Sequence, residues 1–215
     1  MQAAALRSPE IRTLGVVLAG GAGTRVGSVD KGLLPLRGRP LIAQVLDALR
    51  PQCEALLIVA NRNLEEYSRF AKTVRDQSDG HAGPLAGIVA ALAHVLSQMD
   101  TEPCEWMMTV PVDCPRPPQD LRERLQTVLT KSSATSCAFA HDETGPQPLF
   151  ALYRMTQAEP LLASARAALA LHASVAQWLG EIGACATDFS GQSAAFHNLN
   201  TPQDFRDYER THGEY

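Results

Sequence analysis

Four times before position 130 the chain follows a short aliphatic run with an amphipathic stretch. Leu14–Ala19 precedes Pro40–Arg50, Ala55–Ala60 precedes Leu64–Phe70, Thr73–Arg75 precedes Pro84–Leu96, and Trp106–Val110 precedes Pro118–Leu129. A strand that must return parallel to itself needs a crossover of this length, so the alternation predicts βαβ units. The expected fold class is α/β, a Rossmann-like, mainly parallel sheet with helices on both faces. The third amphipathic stretch carries the clearest period, with Leu85, Ile88, Val89, Leu92, Val95 and Leu96 along one helical face and Pro84 in its first turn. After position 130 the rhythm changes: Ser136–Ala140 and Leu149–Tyr153 read as strands joined by the polar turn "HDETGPQ", a non-parallel addition to the sheet. Helices over Gln157–Ala170 and Val175–Ile182, a strand at Cys185–Asp188 and a last helix from Pro202 follow. With 215 residues, 45% of them hydrophobic, there is enough for one sizeable core. One domain over 13–215 is expected, behind a disordered arm at 1–12.

Composition narrows the partners. The 19 Lys and Arg against 23 Asp and Glu leave a net charge of −4, which gives no basic surface for a polyanion, so nucleic acid is not expected. No run approaches the roughly 18 apolar residues of a membrane span, and the leader "MQAAALRSPEIR" lacks the apolar segment of a signal peptide. Cys53, Cys104, Cys114, Cys137 and Cys185 are odd in number and lack zinc-site spacing. They read as reduced thiols of a cytoplasmic protein, mostly core filler.

The stretch "LAGGAGTRVGSVDKG", Leu18 to Gly32, leaves the first strand of such a sheet, where open α/β folds place ligands. Its glycines let backbone N–H groups approach an anion, and Arg25 and Lys31 add positive charge. Two common phosphate loops do not fit. A Walker A loop requires Gly-Lys-Ser/Thr, whereas Lys31 precedes Gly32. The dinucleotide fingerprint requires glycine where Val26 stands, and the second strand ends in Asn61-Arg62 instead of a ribose-binding acid. An S-x-x-K match at Ser28 to Lys31 has no K-T-G to accompany it.

The pattern "LAGG-x3-R-x-G-x2-DKG" followed by "L-x-L-x-G-x-PL" resembles the nucleotide loop of molybdenum cofactor guanylyltransferases, within the nucleotidyltransferase fold shared with sugar-nucleotide pyrophosphorylases. The resemblance continues through "ANR" at Ala60–Arg62, Asp76 with "GPLAG" at Gly83–Gly87, "VPVDCP" at Val110–Pro115, "QPLFALY" at Gln147–Tyr153 and "NLNTPQD" at Asn198–Asp204. It implies attack by the terminal phosphate of molybdenum-loaded molybdopterin on the α-phosphorus of GTP, releasing pyrophosphate and leaving the guanine dinucleotide cofactor. No protein nucleophile is needed, so positioning and charge neutralisation carry the catalysis.

The resemblance also implies residue roles. Arg25, Lys31 and Asp113 form the catalytic set, with Lys31 and the Gly20, Gly21 and Gly23 backbone on the triphosphate and Asp113 on Mg²⁺. Leu18, Ala19, Gly20, Asn61 and Asp76 face the nucleoside, bordered by Gly83 and Pro84. A carboxylate at Asp76 accepts from guanine N1–H and N2–H₂ and rejects adenine. Arg25, Asn198 and Asn200 lie toward the second substrate. Enzymes that supply or accept the cofactor are expected partners.

Each residue also has a plainer reading from its setting. Asp113 before Pro115 fits a turn or helix cap, Asp76 can cap its own turn, and His94 reads as a partly buried structural residue. For the last helix, Thr201 before Pro202 is a better N-cap than either asparagine. Two positions depart from the family pattern: Val26 replaces a methionine, and the basic segment between the two late helices appears as "LALHASVAQ", leaving Arg154 or Arg166 to serve the pterin side. Three alternatives stay open: a molybdopterin cytidylyltransferase, disfavoured by Gly21; a sugar-1-phosphate nucleotidyltransferase, disfavoured by Asp30 before Lys31; and a non-catalytic nucleotide- or cofactor-binding protein.

Overall fold

A computed structural model describes residues 11–20, 30–76 and 83–211. Its centre is a seven-stranded sheet of β1 (Ile11–Leu18), β4 (Ala55–Ala60), β5 (Lys72–Arg75), β6 (Cys104–Pro111), β7 (Cys137–Asp142), β8 (Gly145–Arg154) and β9 (Cys185–Asp188). The spatial order is β5-β4-β1-β6-β8-β7-β9. The β5–β4–β1–β6 pairs and the β7–β9 pair are parallel, and β8 runs against both its neighbours. The mainly parallel sheet, and the reversal after position 130, are therefore as the alternating runs require.

Strand side chains alternate between two cores, which places helices on both faces. Val17, Ile58 and Met108 point into one core with α1 (Leu41–Leu49) and α4 (Leu121–Lys131), where Tyr67 of α2 (Leu64–Ser68) is also buried. Val16, Leu57 and Met107 point into the other, with α3 (Gly83–Gln98), α5 (Ala158–Ala170) and α6 (Val175–Glu181). Strands buried on both sides explain why β4 reads as an unbroken apolar run, ALLIVA. In the second core the Trp178 ring stacks on Tyr153 at 5.9 Å between centroids, and its indole N–H donates to Ser164 Oγ at 3.1 Å. Trp178→Ala is expected to cost about 3–5 kcal/mol of stability, read as a lower denaturant midpoint with an unchanged slope.

The departures from expectation have local causes. β1 begins at Ile11, so the last two residues expected in the N-terminal arm belong to the sheet, with Ile11 opposite Cys104. The turn "HDETGPQ" is mostly strand: Asp142 pairs with Gly145, and Asp142 Oδ1 accepts from Thr144 N at 3.0 Å and Thr144 Oγ1 at 2.7 Å, closing a tight turn. α4 starts at Leu121, three residues after the expected Pro118, whose carbonyl instead takes the Gln52 side-chain amide at 3.0 Å. A small hairpin, β2 (Pro35–Leu36) with β3 (Arg39–Pro40), was not expected. Leu36 packs there with Leu41, Leu199 and Tyr208, which docks α7 (Pro202–Thr211). The five cysteines are free. Burial pushes Cys53 and Cys114 up to about 12 and Cys104 to about 11, as inert core thiols require. Among the described residues no helix is long and apolar enough to cross a membrane.

Strand order sets the site. From β1 the crossover to β4 goes one way, while β6, on the other side of β1, is reached after β5. The loops leaving β1 and β6 thus diverge, and a crevice opens between their carboxyl ends.

Candidate active site

The crevice is a cavity of about 130 Å³ whose walls include Leu18, Ala19, Gly20, Lys31, Pro84 and Asp113. Ala19 N–H donates to Val59 O at 2.8 Å and Val112 N–H to Leu18 O at 3.1 Å, so the pairing of β1 with both neighbours persists up to the cavity. Gly87 lets α3 lie close over β1, since a Cβ there would stand 3.1 Å from Leu18 Cδ2. α3 opens at Gly83 with φ +68, a backbone setting that favours glycine. Pro84 follows on the cavity wall. Leu149 also lines the cavity, from the stretch where the β7–β8 register jumps from Phe139↔Ala151 to Ala140↔Gln147.

Lys31 and Asp113 meet across this cavity. Lys31 sits in a 3₁₀ turn, Lys31–Leu33, capped by Asp30, whose Oδ1 accepts from Gly32 N–H at 3.3 Å. Lys31 Nζ lies 3.3 Å from Asp113 Oδ2 and donates to Asn200 Oδ1 at 2.7 Å. Burial pushes the Asp113 carboxyl above its ordinary value, opposed by the Lys31 ammonium. Asp113 does not cap a helix, since the residue preceding α4 is Asp120. Its carbonyl accepts from Leu199 N–H at 2.8 Å, which holds the 198–200 segment beside the end of β6. The buried Leu199 anchors that segment in the β2–β3–α7 cluster. Thr201 caps α7 as expected: Thr201 Oγ1 accepts from Asp204 N–H at 3.2 Å, and Asp204 Oδ2 accepts from the Asn200 and Thr201 N–H groups at 2.8 and 2.7 Å.

The other expected residues stand along the same edge of the sheet. Asn61 follows β4 and is exposed. Asp76 follows β5, continues its pairing through Asp76 N–H to Ala60 O at 3.0 Å, and is buried. A Cβ on Gly20 would stand 3.4 Å from Asp76 Oδ2, which sets that carboxylate beside the end of β1. Asn198 is less integrated. Its carbonyl accepts from Asn200 Nδ2 at 3.4 Å, and its own Oδ1 is buried without a hydrogen-bond partner among the described residues. Gly21, Gly23 and Arg25 lie outside the described residues.

The two substitute arginines fare differently. Arg154 donates from Nη2 to Leu129 O at 2.6 Å and lies 4.9 Å over the Trp106 ring, so it closes the C-terminal end of α4 away from the crevice. Arg166 borders a separate cavity of about 640 Å³ with Asp76, Arg75 and His94. His94 is half-buried there, and burial lowers its pKa from the ordinary value. Two residues at the centre carried no role in the sequence reading, Asp30 and Tyr67. Asp30 is visible only as the partner of Lys31 in the DKG motif, and Tyr67 is one aromatic ring in a five-residue helix.

Comparison with known proteins identifies the family and the fold. The model of the MobA-like NTP transferase domain matches residues 15–183. A molybdenum cofactor guanylyltransferase of Shewanella piezotolerans is 38% identical over 190 residues, 87% of each chain. One from Vibrio cholerae is 36% identical over 198 residues, covering 92% of this chain and 91% of that one. Among solved structures, molybdopterin-guanine dinucleotide biosynthesis protein A from Archaeoglobus fulgidus superposes with a TM-score of 0.72 at 22% identity, covering 94% of this chain and all of that one. The 4-diphosphocytidyl-2C-methyl-D-erythritol synthase of Anaerococcus prevotii shares the fold at a TM-score of 0.67 and 11% identity, over 95% and 97% of the two chains.

Proposed function

Given that the chain belongs to the MobA-like NTP transferase family and is a nucleotidyltransferase, we propose that it transfers GMP from GTP to the terminal phosphate of molybdenum-loaded molybdopterin. A terminal phosphate oxygen of the pterin bonds to the α-phosphorus of GTP. The bond from that phosphorus to the bridging oxygen breaks, and pyrophosphate leaves with the electron pair.

One observation carries the reading: the Lys31 ammonium is held between the Asp113 carboxylate and the Asn200 amide where β1 and β6 end. Lys31 neutralises triphosphate charge as it shifts to the leaving group. Arg25 and the Gly20, Gly21 and Gly23 backbone share that task, with Arg25 toward the incoming phosphate. Asp76 reads the guanine edge and Asn61 contacts the nucleoside, while Gly83 and Pro84 border the pocket. Asn198 and Asn200 face the second substrate.

The donor set at Asp113 suits Mg²⁺. Among the described residues no three His, Cys, Asp or Glu side chains converge. A hard cation held by one carboxylate completes its shell with water and phosphate oxygens, the usual arrangement for Mg²⁺ beside a nucleotide. When bound, Mg²⁺ stabilises the departing pyrophosphate. Before binding, the carboxylate is kept in place by Lys31. Cytoplasmic placement, with hand-over to enzymes that supply and accept the pterin, completes the proposal.

Pyrophosphate release tests it, with Mg²⁺ and molybdopterin present and GTP, CTP, ATP and UTP offered in parallel. Release with GTP alone is expected, abolished by EDTA and restored by excess Mg²⁺. Release with CTP, or only with a sugar phosphate as acceptor, would assign the chain to a neighbouring activity. GTP binding without release would make it a binding protein.

A further inference from the structure

Asp30 is a carboxylate with 6% of its surface exposed, and the reaction outlined above gives it no task. Burial of a carboxylate is costly unless donors surround it. Here they do. Oδ1 accepts from Gly32 N–H at 3.3 Å and from the Tyr67 hydroxyl. Oδ2 accepts from Asn63 Nδ2 at 3.0 Å, with Arg62 Nε 3.7 Å away. These partners come from two places: the turn that carries Lys31, and the segment that leaves β4 directly after Asn61.

Tyr67 is wholly buried, and burial together with the Asp30 carboxylate pushes its hydroxyl well above the ordinary value, so it stays a donor. The same hydroxyl occupies the space over Gly32. A Cβ at Gly32 would collide with it and would come within 2.8 Å of Val112 Cγ2. The turn bearing Lys31 is therefore packed between Tyr67 and the residue that precedes Asp113.

We propose that Asp30 and Tyr67 are positioning residues for the transfer centre. The Tyr67 hydroxyl fixes the Asp30 carboxylate, the carboxylate caps the Lys31–Leu33 turn, and the turn aims Lys31 Nζ across the cavity at Asp113 and Asn200. This inference rests on the role of Lys31 in guanylyl transfer. It predicts an effect on rate that is transmitted through Lys31 and is separable from stability.

Tyr67→Phe keeps the ring and removes the clamp. The expected result is a roughly tenfold lower kcat with KM for GTP within about twofold, because a misplaced ammonium is felt most where charge gathers on the leaving group. In a Lys31→Ala background the same change is expected to alter the rate by less than about twofold, since the group it positions is gone. Equal losses in both backgrounds, or an unchanged kcat with only a lower melting temperature, would overturn the proposal. Asp30→Asn, which keeps the shape and removes the charge, is the second variant and is expected to lose more than Tyr67→Phe on the same two readouts.

If the wild-type chain turns over no GTP, the functional reading fails and the clamp is judged separately. The chain has three lysines, Lys31, Lys72 and Lys131, so [15N]lysine labelling gives three backbone amide signals. A shifted or broadened Lys31 signal in Tyr67→Phe, with the other two unmoved, supports the clamp. An unmoved Lys31 signal overturns it.

Discussion

Asp113→Asn is expected to lower kcat by about 10²- to 10³-fold while the protein stays folded and still binds GTP. The fold survives because what ties Asp113 to the C-terminal segment is its backbone carbonyl, which accepts from Leu199 N–H at 2.8 Å and is untouched by the change. Burial already disfavours the charge on this side chain, so a neutral amide of the same shape relieves a desolvation cost as it removes the Lys31 ion pair. The melting temperature should therefore move little. Turnover, a thermal melt and calorimetric titration with GTP check the three parts together. Wild-type turnover in the variant would remove Asp113 from the mechanism.

The second large effect is at Lys31. Lys31→Ala is expected to cost on the order of 10³-fold in kcat, the scale seen when a cation is withdrawn from a phosphoryl group in transfer. Lys31→Arg should rescue little of it. The ammonium is a compact point charge fitted between Asp113 Oδ2 at 3.3 Å and Asn200 Oδ1 at 2.7 Å, and the larger, planar guanidinium does not fit that gap. Steady-state kinetics of both variants, with GTP binding measured alongside, provide the check. An arginine variant at wild-type rate would mean that charge alone suffices and the geometry is unimportant.

Much of the fold could be read from the letters because its strands are buried on both faces. The run Ala55–Ala60 has the same bounds in sequence and structure, and the helical face of Leu85, Ile88, Leu92 and Val95 lies in the second core. The β2–β3 hairpin could not be read. Two-residue strands of Pro-Leu and Arg-Pro have no period, and their reason for existing is the packing of Leu36 on Leu199 and Tyr208, far along the chain. The site shows the same division. Local motifs named Lys31, Asp113 and Asn200, but contacts spanning 82 and 169 positions are set by the order of strands and not by spacing. The burial of Asp30 under Tyr67 is likewise a tertiary fact. The glycine-rich part of the loop, with Gly21, Gly23 and Gly27, falls on residues 21–29, outside the described residues.

The bond from Lys31 to Asn200 has a temporal side. At about 5–20 residues per second of synthesis, Lys31 is made on the order of 10 s before the partner 169 positions downstream exists. Asp113 arrives midway, but its carbonyl gains the Leu199 N–H only once that later segment has been made. The Lys31 ammonium thus gains its last partner only when the segment leading into α7 has emerged and docked on the hairpin.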